Sequence, residues 1–260
     1  MNGEPKYVFA DAKERHEYDR LSLLQDECDP ATFRHLDRLG VSTGWHCLEV
    51  GPGGGSVMRW LSRQVGPSGK VVAVDKAPRF LAGDSGGNLQ VLQGDVTSPG
   101  TLPKAAFDLV HVRHLLLHVP ERWRALANMA AALKPGGWLL AEEPDFVGGD
   151  EGGPVDAVFA ATRMLYAGLG IDTSMGRKLP RLLDEAGLQH VGCESAIAVV
   201  NGGSRRAEIW RLAGEHLGDS LCERGGLDRY ELNDFLKLTR DPKAWWMDYA
   251  VVSAWGRLGA

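Results

Sequence analysis

The sequence predicts an α/β fold: a doubly wound, Rossmann-like sheet of seven mainly parallel strands with helices on both faces. Two observations carry this prediction. Cys47-Leu48-Glu49-Val50 is an apolar strand that runs into Gly51-Pro52-Gly53-Gly54-Gly55, and residues 57–65 then read as an amphipathic helix stopped by Gly66. Beyond it, short apolar runs alternate with helical stretches as far as Glu143. Strand, glycine turn and helix in that order open a βαβ unit, and glycine lets a ligand approach bare backbone where a Cβ would block it.

The remaining elements follow in order. Residues 7–40 read as helical, with Leu21, Leu24, Phe33, Leu36 and Leu39 as apolar positions. Asp29-Pro30 is expected to start a helix, because Asp caps and proline suits a first turn. Strand–helix units follow, with strands at 71–75, 89–93, 107–112 and 138–143 and a helix at 121–133; Lys134-Pro135-Gly136-Gly137 turns the chain into the last of these strands. Residues 148–153 are a glycine-rich joint. Helices are expected at 155–169 and 178–186, the second ended by Gly187, with a strand around 193–200. Residues 204–247 read as mostly helical, an insertion before a last strand at 249–256 that would cap the ligand edge of the sheet. Residues 1–260 are read as a single domain, with 1–40 as an N-terminal helical lid and 204–247 as the cap.

Composition narrows the partners. Apolar residues make up 44% and charged residues 24%, ordinary for a globular protein, and a net charge of -5 gives no general attraction to nucleic acid or anionic membrane. No apolar run reaches the ~18–20 residues of a membrane span, and the N-terminus is unlike a signal peptide. Cys28, Cys47, Cys193 and Cys222 lack paired spacing, as expected of reduced cysteines in a cytoplasmic protein without a metal cluster.

The glycine turn separates two chemistries. A dinucleotide fingerprint needs a glycine at the sixth position from Gly51, and that position is Ser56. The pattern present is acid-x-Gly-x-Gly-x-Gly, through Glu49, Gly51, Gly53 and Gly55. It resembles the first motif of the class I S-adenosylmethionine (SAM)-dependent methyltransferases. Asp75 matches the family's second motif, an acid at the end of the second strand that bonds the ribose hydroxyls, with Lys76 beside it. Asp95-Val96 matches the third, near the adenine amino group, and residues 107–110 and 133–137 fit later signatures. The resemblance covers most of the chain from about residue 7. It implies SAM as cofactor (S-adenosylhomocysteine, SAH, as product), its carboxylate near Ser56-Val57 and its ammonium on carbonyls near Val112-Arg113. Residues 168–172, Gly176-Arg177 and 251–256 look like bacterial small-molecule methyltransferases related to the ubiquinone/menaquinone type, so a natural-product acceptor is expected.

Displacement of a methyl group from a sulfonium mainly requires alignment and exclusion of water, and a hydroxyl or enol acceptor also needs a proton acceptor. His114 is the first candidate for that base; His118 is the second, and it also reads as a structural histidine bonded to backbone. Glu142, Glu143 and Asp145 read equally as loop caps and as acceptor-binding groups. A catechol-type metal site is not expected, since the fourth strand ends in Val112-Arg113-His114. Phe146, Tyr166, Trp210 and Trp246 are candidates for the wall of an acceptor pocket, and Tyr7 for a lid residue or an ordinary docked terminus. Nucleic-acid methylation is disfavoured: no Asn/Asp-Pro-Pro-aromatic run follows the fourth strand, and no proline precedes a cysteine. The alternative is a SAM-fold protein that binds the cofactor without methyl transfer, as a cyclase or a binding module.

Overall fold

A computed structural model describes residues 14–147 and 152–260. Helix α1 (Glu14–Leu39) leads to β1 (His46–Val50), α2 (Ser56–Val65), β2 (Lys70–Asp75), β3 (Leu89–Gln93) and β4 (Phe107–Arg113). Then come α3 (Arg122–Ala132), β5 (Leu133–Asp145), α4 (Pro154–Gly168), α5 (Leu179–Glu185), β6 (Leu188–Asn201), α6 (Arg205–Gly225), α7 (Arg229–Leu238) and β7 (Trp245–Leu258). The sheet has seven strands in the order β3-β2-β1-β4-β5-β7-β6. All pairs are parallel except those of β7, which runs antiparallel to both β5 and β6. The expected doubly wound sheet is therefore present, with one reversed strand.

Alternation along the buried strands sorts side chains between two cores. Cys47, Leu109 and Leu140 face α1 and α2, where they meet Leu36, Met58 and Leu61. Leu48, Val110, Val112 and Leu139 face the other way, toward α3 and α5 residues such as Met129 and Leu183. Each of these aliphatic side chains, withdrawn from water, contributes roughly 1.5–3 kcal/mol.

Three expectations are corrected. Asp29-Pro30 lies inside α1 and starts nothing. Pro30 lacks an N–H, yet the helix runs through it, and the Asp29 carboxylate, rather than capping a helix, accepts hydrogen bonds from Ser56 Oγ and Arg113 across the structure. The strand–helix alternation also lapses: among the described residues, 76–88 and 94–106 carry no helix. Both segments are rich in proline and glycine, which break helices. Finally, the last strand starts at Trp245, so the region 204–247 contains α6, α7 and the opening of β7. Ser204 caps α6 by accepting the Ala207 N–H, and Asp228 with Glu231 forms a capping box on α7. The joint expected at 148–153 falls largely on residues outside those described, as does Tyr7.

Candidate active site

The glycine turn needs its backbone conformation. Gly51, Gly53 and Gly55 have φ of 68°, 57° and 83°, a region that side chains rarely adopt. Gly51 and Gly53 line a cavity of about 1070 Å³ that opens at the carboxyl ends of the parallel strands. Gly55 and Ser56 do not line it. A Cβ at Gly55 would strike Met58, Arg59 and Leu81, so this glycine serves the start of α2. Ser56, expected to cradle a carboxylate, is already engaged: its N–H donates to Gln25 Oε1 (3.0 Å) and its hydroxyl to Asp29 (2.9 Å). Side chains of α1 thus cap this helix start.

Asp75, Lys76, Asp95 and Val96 all line the cavity. Asp75 sits at the end of β2, where burial raises its carboxyl above the usual range; Oδ1 accepts the Ala77 N–H at 2.7 Å. Burial would also raise Asp95, but the Thr97 hydroxyl and amide, together with Lys76 at 3.2 Å, hold it low. Parallel pairing of β2 with β3 and with β1 sets both acids beside the glycine turn.

Glu49 and Arg113 line the same cavity from within a buried polar network. His111, 0% exposed, places Nδ1 at 2.7 Å from Glu49 and Nε2 at 3.1 Å from Glu142. Glu142 also accepts hydrogen bonds from Thr32 (2.5 Å) and Ser253 (2.6 Å). Arg113 donates to Thr32 Oγ1 and to Asp29. The ionic residue His111 within the apolar run of β4 was the sequence signal for this network, which spacing alone did not reveal.

Glu143 and Asp145 cap loops. Glu143 accepts the N–H groups of Leu115, Leu116 and Leu117, and Asp145 holds Arg177. Among the described residues, no group of three His, Cys, Asp or Glu side chains is placed to hold a metal ion.

His114 and His118 both line the cavity. His114 follows β4 with φ of 53°, and its buried Nε2 has no hydrogen-bond partner among the described residues. Burial, followed by the nearby Arg113 and Arg206 charges, lowers its pKa to about 3, so the ring is neutral at pH 7. His118, in a short 3₁₀ turn at Leu116–His118, is lowered by burial to about 4.

Phe146, Tyr166 and Trp210 line the cavity together with Val158, Ile209 and Leu217 of α4 and α6. Trp246 does not. It lies 3% exposed against the edge of Phe235, because β7 begins at Trp245 and alternation turns the next side chain into the core. Tyr249, which sequence reasoning passed over, takes a place on the wall: it stacks on Phe146 at 5.0 Å and meets the His114 ring edge-on at 6.5 Å. The Arg206 guanidinium covers its ring at 4.8 Å.

Residues 48–141 match the family model for a methyltransferase domain. Methyltransferase str3 of Strobilurus tenacellus is 35% identical over 105 residues, 40% of this chain and 37% of that protein. A ubiquinone/menaquinone biosynthesis C-methyltransferase of Hahella chejuensis is 34% identical over 116 residues, 42% of this chain and 46% of that protein. The chain thus spans less than half the length of these curated relatives. Among solved structures, a Haemonchus contortus phosphoethanolamine N-methyltransferase 2 bound to S-adenosylhomocysteine superposes with a TM-score of 0.53 at 16% identity, covering 93% of this chain and 52% of that one. The glycine turn, the strand-end acids and most of the strand residues that align them lie within residues 48–141, the segment similar to a methyltransferase domain.

Proposed function

We propose that this protein transfers a methyl group from SAM to a small apolar acceptor. One observation carries the reading: a single cavity is lined by the glycine turn, by Asp75 and Asp95, by the uncommitted Nε2 of His114 and by an aromatic wall. The donor set fits SAM. The bare backbone of Gly51 and Gly53 admits a close ligand, Asp75 suits ribose hydroxyls, and Asp95 with Val96 suits the adenine edge. Bound there, SAM would supply an electrophilic methyl on a good leaving group. The protein's part is to align the acceptor and exclude water.

His114 remains neutral, so Nε2 can accept a hydrogen bond from an acceptor hydroxyl and hold it in place. Its lowered basicity suits a late proton transfer, because an oxygen gaining a methyl becomes strongly acidic and gives its proton even to a weak base. Phe146, Tyr166, Trp210 and Tyr249 favour a ring-bearing acceptor, consistent with a natural product. A net charge of -5 supports a small-molecule partner over nucleic acid, and free cysteines suit the cytoplasm. No helix among the described residues is long and apolar enough to cross a membrane.

Calorimetric titration with SAH, followed by incubation with methyl-labelled SAM and a panel of phenols and enols, tests the reading. Saturable SAH binding and a product heavier by one methylene are expected. Binding with substrate turnover but no label transfer would move the assignment to a cyclase, and absence of SAH binding would overturn it.

A further inference from the structure

We propose that His111 is a positioning residue for cofactor binding: by bridging the Glu49 and Glu142 carboxylates, it fixes the acid beneath the glycine turn and ties it to helix α1. The proposal rests on the SAM reading above. His111 lies in mid-β4, completely buried, two residues before the cavity-lining Arg113. Both of its ring nitrogens are within hydrogen-bond distance of carboxylate oxygens, at 2.7 and 3.1 Å. Two ionised carboxylates can both be satisfied only if both nitrogens carry hydrogen, so the ring is an imidazolium.

The groups around it explain the choice of charge. Glu49 approaches from β1 and Glu142 from β5; β7 contributes the uncharged Ser253. Helix α1 contributes Asp29, bonded to Arg113, and Cys28 and His35, both close enough to Glu142 to feel its charge. Burial opposes protonation of His111, but Glu49 and Glu142 outweigh it and raise its pKa to about 9. Glu142 moves down, burial being overcome by His111 and Arg113.

The consequence for function lies in what the bridge connects. Glu49 lines the cavity, and one residue separates it from Gly51, whose N–H is held by the Val74 carbonyl at 2.9 Å. Glu142 receives Thr32 of α1, and the same helix supplies Gln25 and Asp29 to Ser56 at the far side of the turn. Helix α1 also lines the cavity, through Leu21, Leu24 and Gln25. His111 therefore joins the floor of the cofactor turn to one wall of its cavity. Deprotonating it would leave two buried carboxylates to repel each other across a neutral ring.

The test measures SAH affinity by calorimetry across pH 6 to 10, with thermal melts. Glu142→Gln keeps the shape of the network, since the Ser253 hydroxyl can turn to accept from the amide, but it removes one anion from His111. In wild type, SAH affinity should fall as pH rises through the His111 transition; in Glu142→Gln that fall should move about one unit lower. The amine of SAH titrates alike in both, so the displacement reports the protein. The double variant His111→Gln/Glu142→Gln removes one cation and one anion, and should recover much of the melting temperature lost in His111→Gln while binding SAH about tenfold or more weakly than wild type. Superimposable pH profiles for wild type and Glu142→Gln, or wild-type affinity in the double variant, would overturn the inference alone. Wild-type protein that fails to bind SAH would overturn the cofactor reading and the inference with it.

Discussion

Glu143 offers a sharp test of the site's electrostatics. Its carboxylate, 0% exposed, accepts N–H bonds from Leu115 (2.9 Å), Leu116 (2.7 Å) and Leu117 (3.3 Å), and so holds the turn that carries His114 and His118. Burial raises its pKa to about 8, although all three donors oppose the shift. The unfolded value is near 4.3, so the folded protein binds this proton more tightly. Stability from this group is therefore fully present below the unfolded value and is lost as pH rises through about 8. The slope is about 1.4 kcal/mol per pH unit inside that window, so between pH 5.5 and 7.5 wild type should lose roughly 2–3 kcal/mol relative to an uncharged counterpart. Glu143→Gln is that counterpart: it keeps an oxygen for Leu115 and Leu116 and never ionises. Urea unfolding of both proteins at the two pH values, followed by circular dichroism, gives the difference while other titrating groups cancel. A wild-type-minus-variant stability that is the same at both pH values would refute the buried-carboxyl reasoning. Glu143→Ala should be worse at either pH, by about 3–5 kcal/mol, because it strands backbone donors in the interior.

Other outcomes follow from the same structure. Asp75→Asn should weaken SAH binding by about tenfold or more in calorimetry while leaving the melting temperature nearly unchanged, as expected for a cavity carboxylate whose backbone partner Ala77 lies on an exposed turn. Gly51→Ala should lower both stability and SAH affinity, since φ is 68° and the new Cβ would come within 3.1 Å of Leu115; the conformational strain alone is about 1–2 kcal/mol. His114 and His118, lowered to about 3 and 4, resist protonation in the folded state, so stability from both is present above the unfolded value near 6.5 and is lost as pH falls below it. Replacing His118 with Asn should flatten that acid limb in thermal melts. His114→Ala should slow methyl transfer to a hydroxyl acceptor with little change in SAH affinity; an unaltered rate of methyl transfer would remove its role in proton transfer.

What the sequence determined by itself was local or periodic. The strand–turn–helix at Cys47 to Val65 was legible because the glycines answer to backbone sterics at their own positions, and strand-end acids such as Asp75 follow once a parallel sheet is assumed. Residues that tertiary packing assigns were not legible. Asp29-Pro30 reads locally as a helix start, yet α1 runs through it and the Asp29 carboxylate is engaged by Ser56 and Arg113 from across the molecule. Trp246 reads as a pocket aromatic until the first residue of β7 fixes which way it points. Ser56 reads as an anion cradle until Gln25, 31 positions away, takes its N–H. Hydrogen bonds and ion pairs between distant segments leave no period in a chain, so only the folded sheet and the helix packed on it reveal that Glu49, His111 and Glu142 form one buried array.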